Sequence, residues 1–408
     1  MGQLAARAAV GAVNGLTARW AGTVARDRNT AFAAPGVWPL LAFLADGADG
    51  HARVELADAL GVPADQAASA ARQVLATLDG VPGVDSALGL WTRRTVEPHA
   101  AWLAGLPARA HGVLTGDEAA DQRALDAWAA ERTGGLVDRL PVALTDDTEL
   151  VLASALAVRT GWLRPFRDRP FIPETGPWRD RVLPGLLRVS SVLDRIGVAD
   201  TPDGRVTELK VLGNTPVDVH LLLGEELMTP GQVLGAGLGL LTRAYPLVPG
   251  GQLPYGEAGP GVRVVRELDT RPAPPTLDVT TVAFDLTAHH DLLAAHRLFG
   301  LTTAQDTGRA HFSGVSDFPL AVGSAAQSAT ASFGERGFEA AAVTAVAAVA
   351  GAAAPAPRYR TTTVEACFDR PFGFLAVHRR TRLALVAGWV GDPGTHPEGE
   401  ETHDPFGV

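Results

Sequence analysis

Three histidines fall close together in "HHDLLAAHRLFG": His289, His290 and His296. If the stretch 289–300 is a helix, His289 and His296, seven apart, share one face and could ligate a metal; surface histidines on a helix are the simpler reading. His396 and His403 lie among acids near the C-terminus, a pattern that fits a solvated tail better than a metal site. Lys210 is the only lysine, so chemistry needing an amine has one candidate, and Cys367 is the only cysteine. One cysteine forms no intramolecular disulfide and no thiolate metal cluster. Nucleophile-elbow, phosphate-loop and H-E-x-x-H patterns are not found in the sequence. Asp146 and Asp147 precede Thr148, where a turn and a cap explain them better than acid–base work. These residues define no catalytic constellation; no metal and no cofactor is expected.

The most unusual stretch carries no chemistry at all. Between Glu339 and Arg358 lie eighteen uncharged residues, of which all but Thr344 are Ala, Val, Gly or Pro. A membrane span needs about 20 strongly apolar residues, and this run is alanine-rich, broken by Gly351 and closed by Pro355 and Pro357. A buried helix and a flexible linker are the other plain readings, and neither explains the ordered pattern that follows.

The elements around it read as α+β. In "HARVELADALGV" the apolar residues Val54, Leu56, Ala57 and Leu60 recur near helical spacing, and Gly61 stops them. "DQRALDAWAAERTGG" is a second amphipathic helix ending at Gly134-Gly135. Residues 148–162 are continuously apolar and fit a buried strand or a buried helix. The stretch 165–275 is rich in Pro and Gly with short apolar runs, hence strands and turns. Residues 276–288 read as a strand followed by a helix over 289–300. At the end, "FGFLAV" and "RLALVAGWV" flank "HRRT", a hairpin pattern. Helices therefore come first, then mixed structure, then strands. The 408 residues are 46% apolar and 20% charged, enough for a large core. A net charge of −10 disfavours nucleic acid and anionic membranes as partners. The N-terminus reads as an amphipathic helix rather than a secretion signal, so a cytoplasmic location is expected.

Four blocks in order resemble the serpins, the conformationally switching serine-protease inhibitors. They are "PLLAFLADGADGHARVELADALGV" (39–62), "LDAWAAERTGGLVDRLPVALTDDTELVLASALAVRTGWLRPF" (125–166), "HFSGVSDFPLAVGSAAQSATASFGERGFEAAAVTA" (311–345) and "DRPFGFLAVHRRTRLALVAGWVGDP" (369–393). The resemblance implies one serpin domain, a monomer: a mainly helical part (1–160), a mixed sheet part (161–333), an exposed reactive-centre loop (334–361), C-terminal strands (362–394) and a tail (395–408). It implies no catalytic residue. The loop would be bait for a serine protease; after cleavage it would enter the central sheet as a new strand and drag the acylated protease with it. At about 3.3 Å per residue, roughly 15 inserted residues span ~50 Å. Small side chains suit a strand that must enter a packed interior.

In this frame the hinge comprises Glu335, Gly337, Phe338, Glu339, Ala340, Ala341, Ala342 and Thr344. Seventeen residues counted from Glu335 end at Gly351, giving a Gly351–Ala352 reactive bond; eleven residues back from Pro371 is Arg360, giving Arg360–Thr361. The first suits subtilisin- or elastase-like proteases, the second trypsin-like ones. Several positions depart from the family pattern. Phe338 stands where a small hydroxyl residue is usual, and would need a hole to fill. The usual S-P-x-S stretch is Ala34-Pro35-Gly36-Val37, the usual Asn of the central strand is Ser154, and the usual His is Gln327. Trp162 matches the residue at the top of the sheet, where insertion begins. The lysine that normally pairs with Glu335 is matched by Ala283. These departures imply an alternative: a non-inhibitory serpin scaffold that binds a small molecule or partner, or serves as a biosynthetic enzyme. The Ala-, Gly- and Arg-rich composition suggests a high-GC bacterial source.

Overall fold

Twelve of the thirteen residues of one N-terminal helix, APGVWPLLAFLAD, are buried. A helix apolar all round belongs inside a protein rather than on its surface, and the rest of the fold is assembled over it. The computed structural model describes residues 2–145, 147–338 and 359–395. Its helices are α1 (Gly2–Ala21), α2 (Ala34–Asp46, the buried one), α3 (Gly50–Leu60), α4 (Ala64–Asp79), α5 (Ala100–Gly105), α6 (Glu118–Thr133), α7 (Pro230–Leu241) and α8 (His296–Phe299). The first strands are β1 (Thr30–Phe32), β2 (Val84–Arg93), β3 (His111–Leu114), β4 (Leu150–Val158), β5 (Thr160–Gly161), β6 (Arg167–Phe171), β7 (Leu183–Ser190), β8 (Ile196–Thr201), β9 (Gly204–Leu212) and β10 (Val217–Gly224). The remainder are β11 (Leu247–Pro249), β12 (Gly256–Gly259), β13 (Val262–Asp269), β14 (Thr276–Val282), β15 (Phe284–Asp291), β16 (Val322–Phe333), β17 (Gly337–Phe338), β18 (Tyr359–Cys367), β19 (Phe372–His378) and β20 (Ala384–Val390).

These strands form three sheets. The central one runs β3-β2-β4-β16-β17-β5, with β15 also on β16; a second runs β1-β20-β19-β10-β9-β8-β11, and a third β12-β13-β18-β14-β7-β6. The ambiguous apolar run resolves as β4, buried at all nine positions because both its faces are covered. The helices expected within 51–62 and 121–135 form as α3 and α6, and both are closed by left-handed glycines, Gly61 (φ 67°) and Gly134 (φ 62°). The C-terminal hairpin pairs β19 with β20 as its pattern implied.

Two expectations are overturned: the stretch 165–275 is not strands and turns alone but also holds the helix α7, opened by a Thr229–Gln232 capping box, and the histidine segment is not a helix. Residues 276–288 are not one strand leading to a helix over 289–300. They split into β14 and β15, which lie in different sheets, and β15 runs on through His289 and His290. Only His296–Phe299 is helical. Alternation along β15 sends His289 to the Ser328 hydroxyl (2.8 Å) and His290 to the Ala31 carbonyl (2.8 Å), so tertiary partners override the helical spacing. The shared helical face that could have held a metal does not form. Among the described residues no helix is long and apolar enough to cross a membrane, and no group of three or more potential ligands could hold a metal.

Candidate functional site: the hinge and the seam below it

Two elements meet where the chain turns out of the central sheet. From Phe333 the chain reverses through Gly334 and Gly337, whose N–H and C=O join at 2.9 Å. It returns as the two-residue strand β17, which lies between the end of β16 (Phe333 opposite Phe338) and β5 (Phe338 opposite Thr160, Gly337 opposite Gly161). The close approach needs Gly337: a Cβ there would sit 2.6 Å from the Thr160 carbonyl oxygen. The chain after β5 holds the turn by its backbone. Trp162 N donates to Arg336 O (2.8 Å), Phe166 N to Glu335 O (2.9 Å), and the Trp162 indole to Gly334 O (2.9 Å).

Phe338 has the hole it requires. It is 1% exposed, and its ring lies 6.1 Å from that of Phe374 on β19. Phe374 packs on Phe284 (5.0 Å), Phe284 stacks on Phe333 (5.4 Å, 15°), and Phe333 meets Trp162 (4.9 Å) and Phe166 (5.7 Å). A continuous aromatic cluster thus links the hinge to the second sheet. Burying a Phe side chain contributes about 1.5–3 kcal/mol, so the residue that departs from the family pattern fastens the first turn of the loop into the sheet. Glu335 has no lysine partner; its carboxylate lies 4.0 Å from the exposed Arg336 guanidinium, and its carbonyl makes the tighter contact. Ala283, at the position of the usual lysine, donates its N–H to Pro184 O (2.7 Å).

Below β17 the sheet is closed. β4 and β16 pair in parallel from Leu150 to Leu156, with Ser154 opposite Gln327. Gln327, fully buried, stands where the resemblance places a His. Its side-chain oxygen accepts from Ala33 N (2.8 Å) and its nitrogen donates to Ala33 O (2.8 Å), with Ser154 Oγ 3.4 Å away. One amide thereby joins the two central strands to the start of α2. Gly36 permits this: a Cβ would fall 2.3 Å from Ser154 Oγ and 3.3 Å from Gln327 Nε2. The Ala34-Pro35-Gly36 sequence opens α2 beside this amide, with Pro35 in the first turn and Gly36 making room. His290, next to Gln327 across the β15–β16 pair, ties Ala31 to the same junction. Burial lowers its pKa, partly offset by its bond to Ala31 O, with His289 adding a further small lowering.

The structure brings Trp162, Glu335, Gly337 and Phe338 together at the top of the sheet, and Ser154 and Gln327 together in its middle. Arg360 and Thr361 lie in β18, opposite Leu268 and Glu267 of β13. Glu339, Ala340, Ala341, Ala342, Thr344, Gly351 and Ala352 lie outside the described residues, as do Asp146, His396 and His403. Cys367 closes β18, and burial, the chief cause, pushes its thiol up to about 12. Sequence reasoning missed Ala33 and Gly36 as neighbours of Gln327; the glycine after Pro35 was the available signal. It also missed a group of arginines beside Trp162, described below.

A mixed fold of three sheets, with the two-residue strand β17 set between β16 and β5 in the central one, defines a class, and comparison with known proteins names it. The family model described as "Serpin (serine protease inhibitor)" matches residues 14–174 and 269–393: the chain belongs to the serpin family. It is 27% identical over 399 residues to serpin-Z6C of Oryza sativa subsp. japonica, covering 90% of this chain and 91% of that one. It is 32% identical to serpin-Z6A of the same plant over 155 residues, only 35% of this chain and 39% of that relative. Among solved structures, thyroxine-binding globulin in complex with thyroxine superposes with a TM-score of 0.71 at 19% identity, over 97% of this chain and 100% of that one. At that identity the likeness is one of fold.

Proposed function

We propose that this serpin is a suicide inhibitor of serine proteases, whose cleaved loop continues the strand that Gly337 and Phe338 begin. The carrying observation is the position of those two residues, already paired between β16 and β5 at the head of the β4–β16 seam, whose β16 side is mostly small residues, VGSAAQSATASF. Insertion would zip downward from Phe338 by separating Ala329 from Leu156, then Gln327 from Ser154. The small, uncharged run from Ala340 to Pro357 supplies a strand whose inward side chains need little room. The native, uninserted state would be a kinetic trap rather than the free-energy minimum.

Gly351–Ala352 is the favoured reactive bond. Arg360–Thr361 lies in β18, paired on one edge with Leu268 and Glu267 of β13, and β14 joins the other edge from Thr363 onward. A protease would have to peel it away before cutting. Small residues at Gly351 point to subtilisin- or elastase-like targets. The test mixes the protein with subtilisin-like, elastase-like and trypsin-like proteases. A complex that survives boiling in SDS, with the cut at Gly351–Ala352 by mass spectrometry, is the expected result.

One observation favours a second reading, a small-molecule carrier on the same scaffold. A cavity of about 520 Å³ lies between α7 and β9–β10, lined by Leu240, Tyr245, Leu247, Arg243 and Arg382 over the buried Glu208–His220 pair (2.7 Å), and a structural neighbour is thyroxine-binding globulin. Clean cleavage with neither a covalent complex nor a gain in heat stability would favour this reading.

A further inference from the structure

Arg164 sits between the two residues that grip the hinge, Trp162 and Phe166. Its guanidinium does not bind a carboxylate among the described residues; it reaches the Ser190 hydroxyl at 3.3 Å. Arg188 of β7 lies beside it, donating to Arg164 O (3.1 Å) with its guanidinium 4.1 Å over the Phe166 ring. Arg195 and Lys210 complete the group. All four line one cavity of about 160 Å³, together with Leu163, Ser190 and Leu277, about five times the ~30 Å³ that one water occupies in the liquid. The neighbouring acids offset it only in part, meeting Arg195 and Lys210 and not Arg164 or Arg188. Asp194 meets Arg195 at 3.5 Å but is largely exposed, and Glu208 is shared between Lys210 (3.0 Å) and His220. Asp278 pairs with Val189, so strand alternation puts it on the face opposite Arg188 and Ser190. Burial, and then the charges of Arg164 and Arg195, bring the Arg188 pKa down to about 10. A chain of net charge −10 therefore concentrates positive charge at one partly enclosed spot.

We propose that Arg164, Arg188, Arg195 and Lys210 form a binding site for a tetrahedral oxyanion, a phosphate or sulfate group, and that its occupancy reinforces the docked hinge. The guanidiniums offer forked N–H donors suited to oxyanions, and Ser190 adds a hydroxyl. An anion among them relieves the mutual repulsion of residues on two segments, 162–166 and 188–195. The first of these holds Glu335 and Arg336 by backbone hydrogen bonds, so stabilising it stabilises the turn into β17. The site does not depend on whether the loop inhibits a protease.

The test is calorimetric titration of the whole protein with inorganic phosphate, inorganic sulfate and chloride at matched ionic strength, because screening alone changes with salt. Saturable binding of phosphate or sulfate but not chloride is expected; whichever of the two binds tighter identifies the group. R164Q and R188M should each weaken binding about ten-fold or more, as charged hydrogen bonds do, while Met keeps apolar cover on Phe166. If R188M folds poorly, R164Q and the partly exposed R195Q carry the test. Hydrogen exchange at 334–338 should slow when phosphate is added to the wild type and stay unchanged in R164Q. Equal responses to phosphate, sulfate and chloride would overturn the site. Saturable binding with unchanged exchange at 334–338 would overturn its link to the hinge.

Discussion

The top and the middle of the central sheet are held shut by opposite means. At the top the fastening is apolar and bulky: Phe338 enters a cluster of six other aromatic rings counted through Phe374, Phe284, Phe333, Trp162, Phe166 and Phe372. In the middle it is small and polar, one Gln327 amide doubly bonded to Ala33 beneath alanines and serines. Apolar packing is non-directional and tolerates repacking. A buried amide costs most when one partner is removed. The two ends should therefore fail differently when changed.

The largest effect is expected from Phe338→Ala. A buried Phe truncated to Ala costs about 3–5 kcal/mol where the site cannot collapse. Here the two-residue strand can leave instead, so the loss should appear as fast hydrogen exchange at 334–338 with global stability little changed. Slow exchange there in the variant would mean that the aromatic cluster does not hold the hinge.

Gln327→Ala comes next. It leaves the Ala33 N–H buried without its partner, while Ala33 O keeps the Gly36 N–H (3.0 Å), at about 1–3 kcal/mol, and should lower the denaturation midpoint of the whole domain rather than free the hinge alone. Gly36→Ala should act in the same direction by forcing Ser154 and Gln327 apart. Ala342→Arg tests the seam between the two ends: four residues on from Phe338 it falls on the same inward face of an inserted strand, so a charge carried there should turn an inhibitor into a substrate, read as cleaved loop without covalent complex. Unchanged inhibition in that variant would remove the insertion mechanism.

A smaller effect concerns pH. The folded pKa of His290 lies below its ordinary value of 6.5. Between the two values the unfolded chain binds the extra proton and the folded one does not, so this contribution is complete above about pH 6.5 and shrinks as pH falls below it. His290→Gln should therefore flatten the stability–pH curve below pH 6.5, measured by urea midpoints. Smallest of all is Cys367: with its thiol pushed up to about 12, the folded protein should label very slowly with a thiol reagent at neutral pH, and as fast as a free thiol once unfolded.

Much of this was legible in order along the chain. The helix ends at Gly61 and Gly134 follow from glycine's access to the left-handed region, the buried β4 from its length and apolarity, and the family from four blocks in sequence. The histidine helix was misread because strand partners decide that segment, and no local pattern names a partner.

The sequence alone determined which segments bury, where helices stop, and that an uncharged small-residue run lies between Glu339 and Arg358, because side-chain size, polarity and backbone preference are properties of single residues and their near neighbours. Only the tertiary structure decided that Phe338 is an anchor, that Gln327 bonds Ala33 and that Arg164, Arg188, Arg195 and Lys210 share a cavity. Gln327 and Ala33 are 294 residues apart, and a contact between such residues exists only once the sheets have packed.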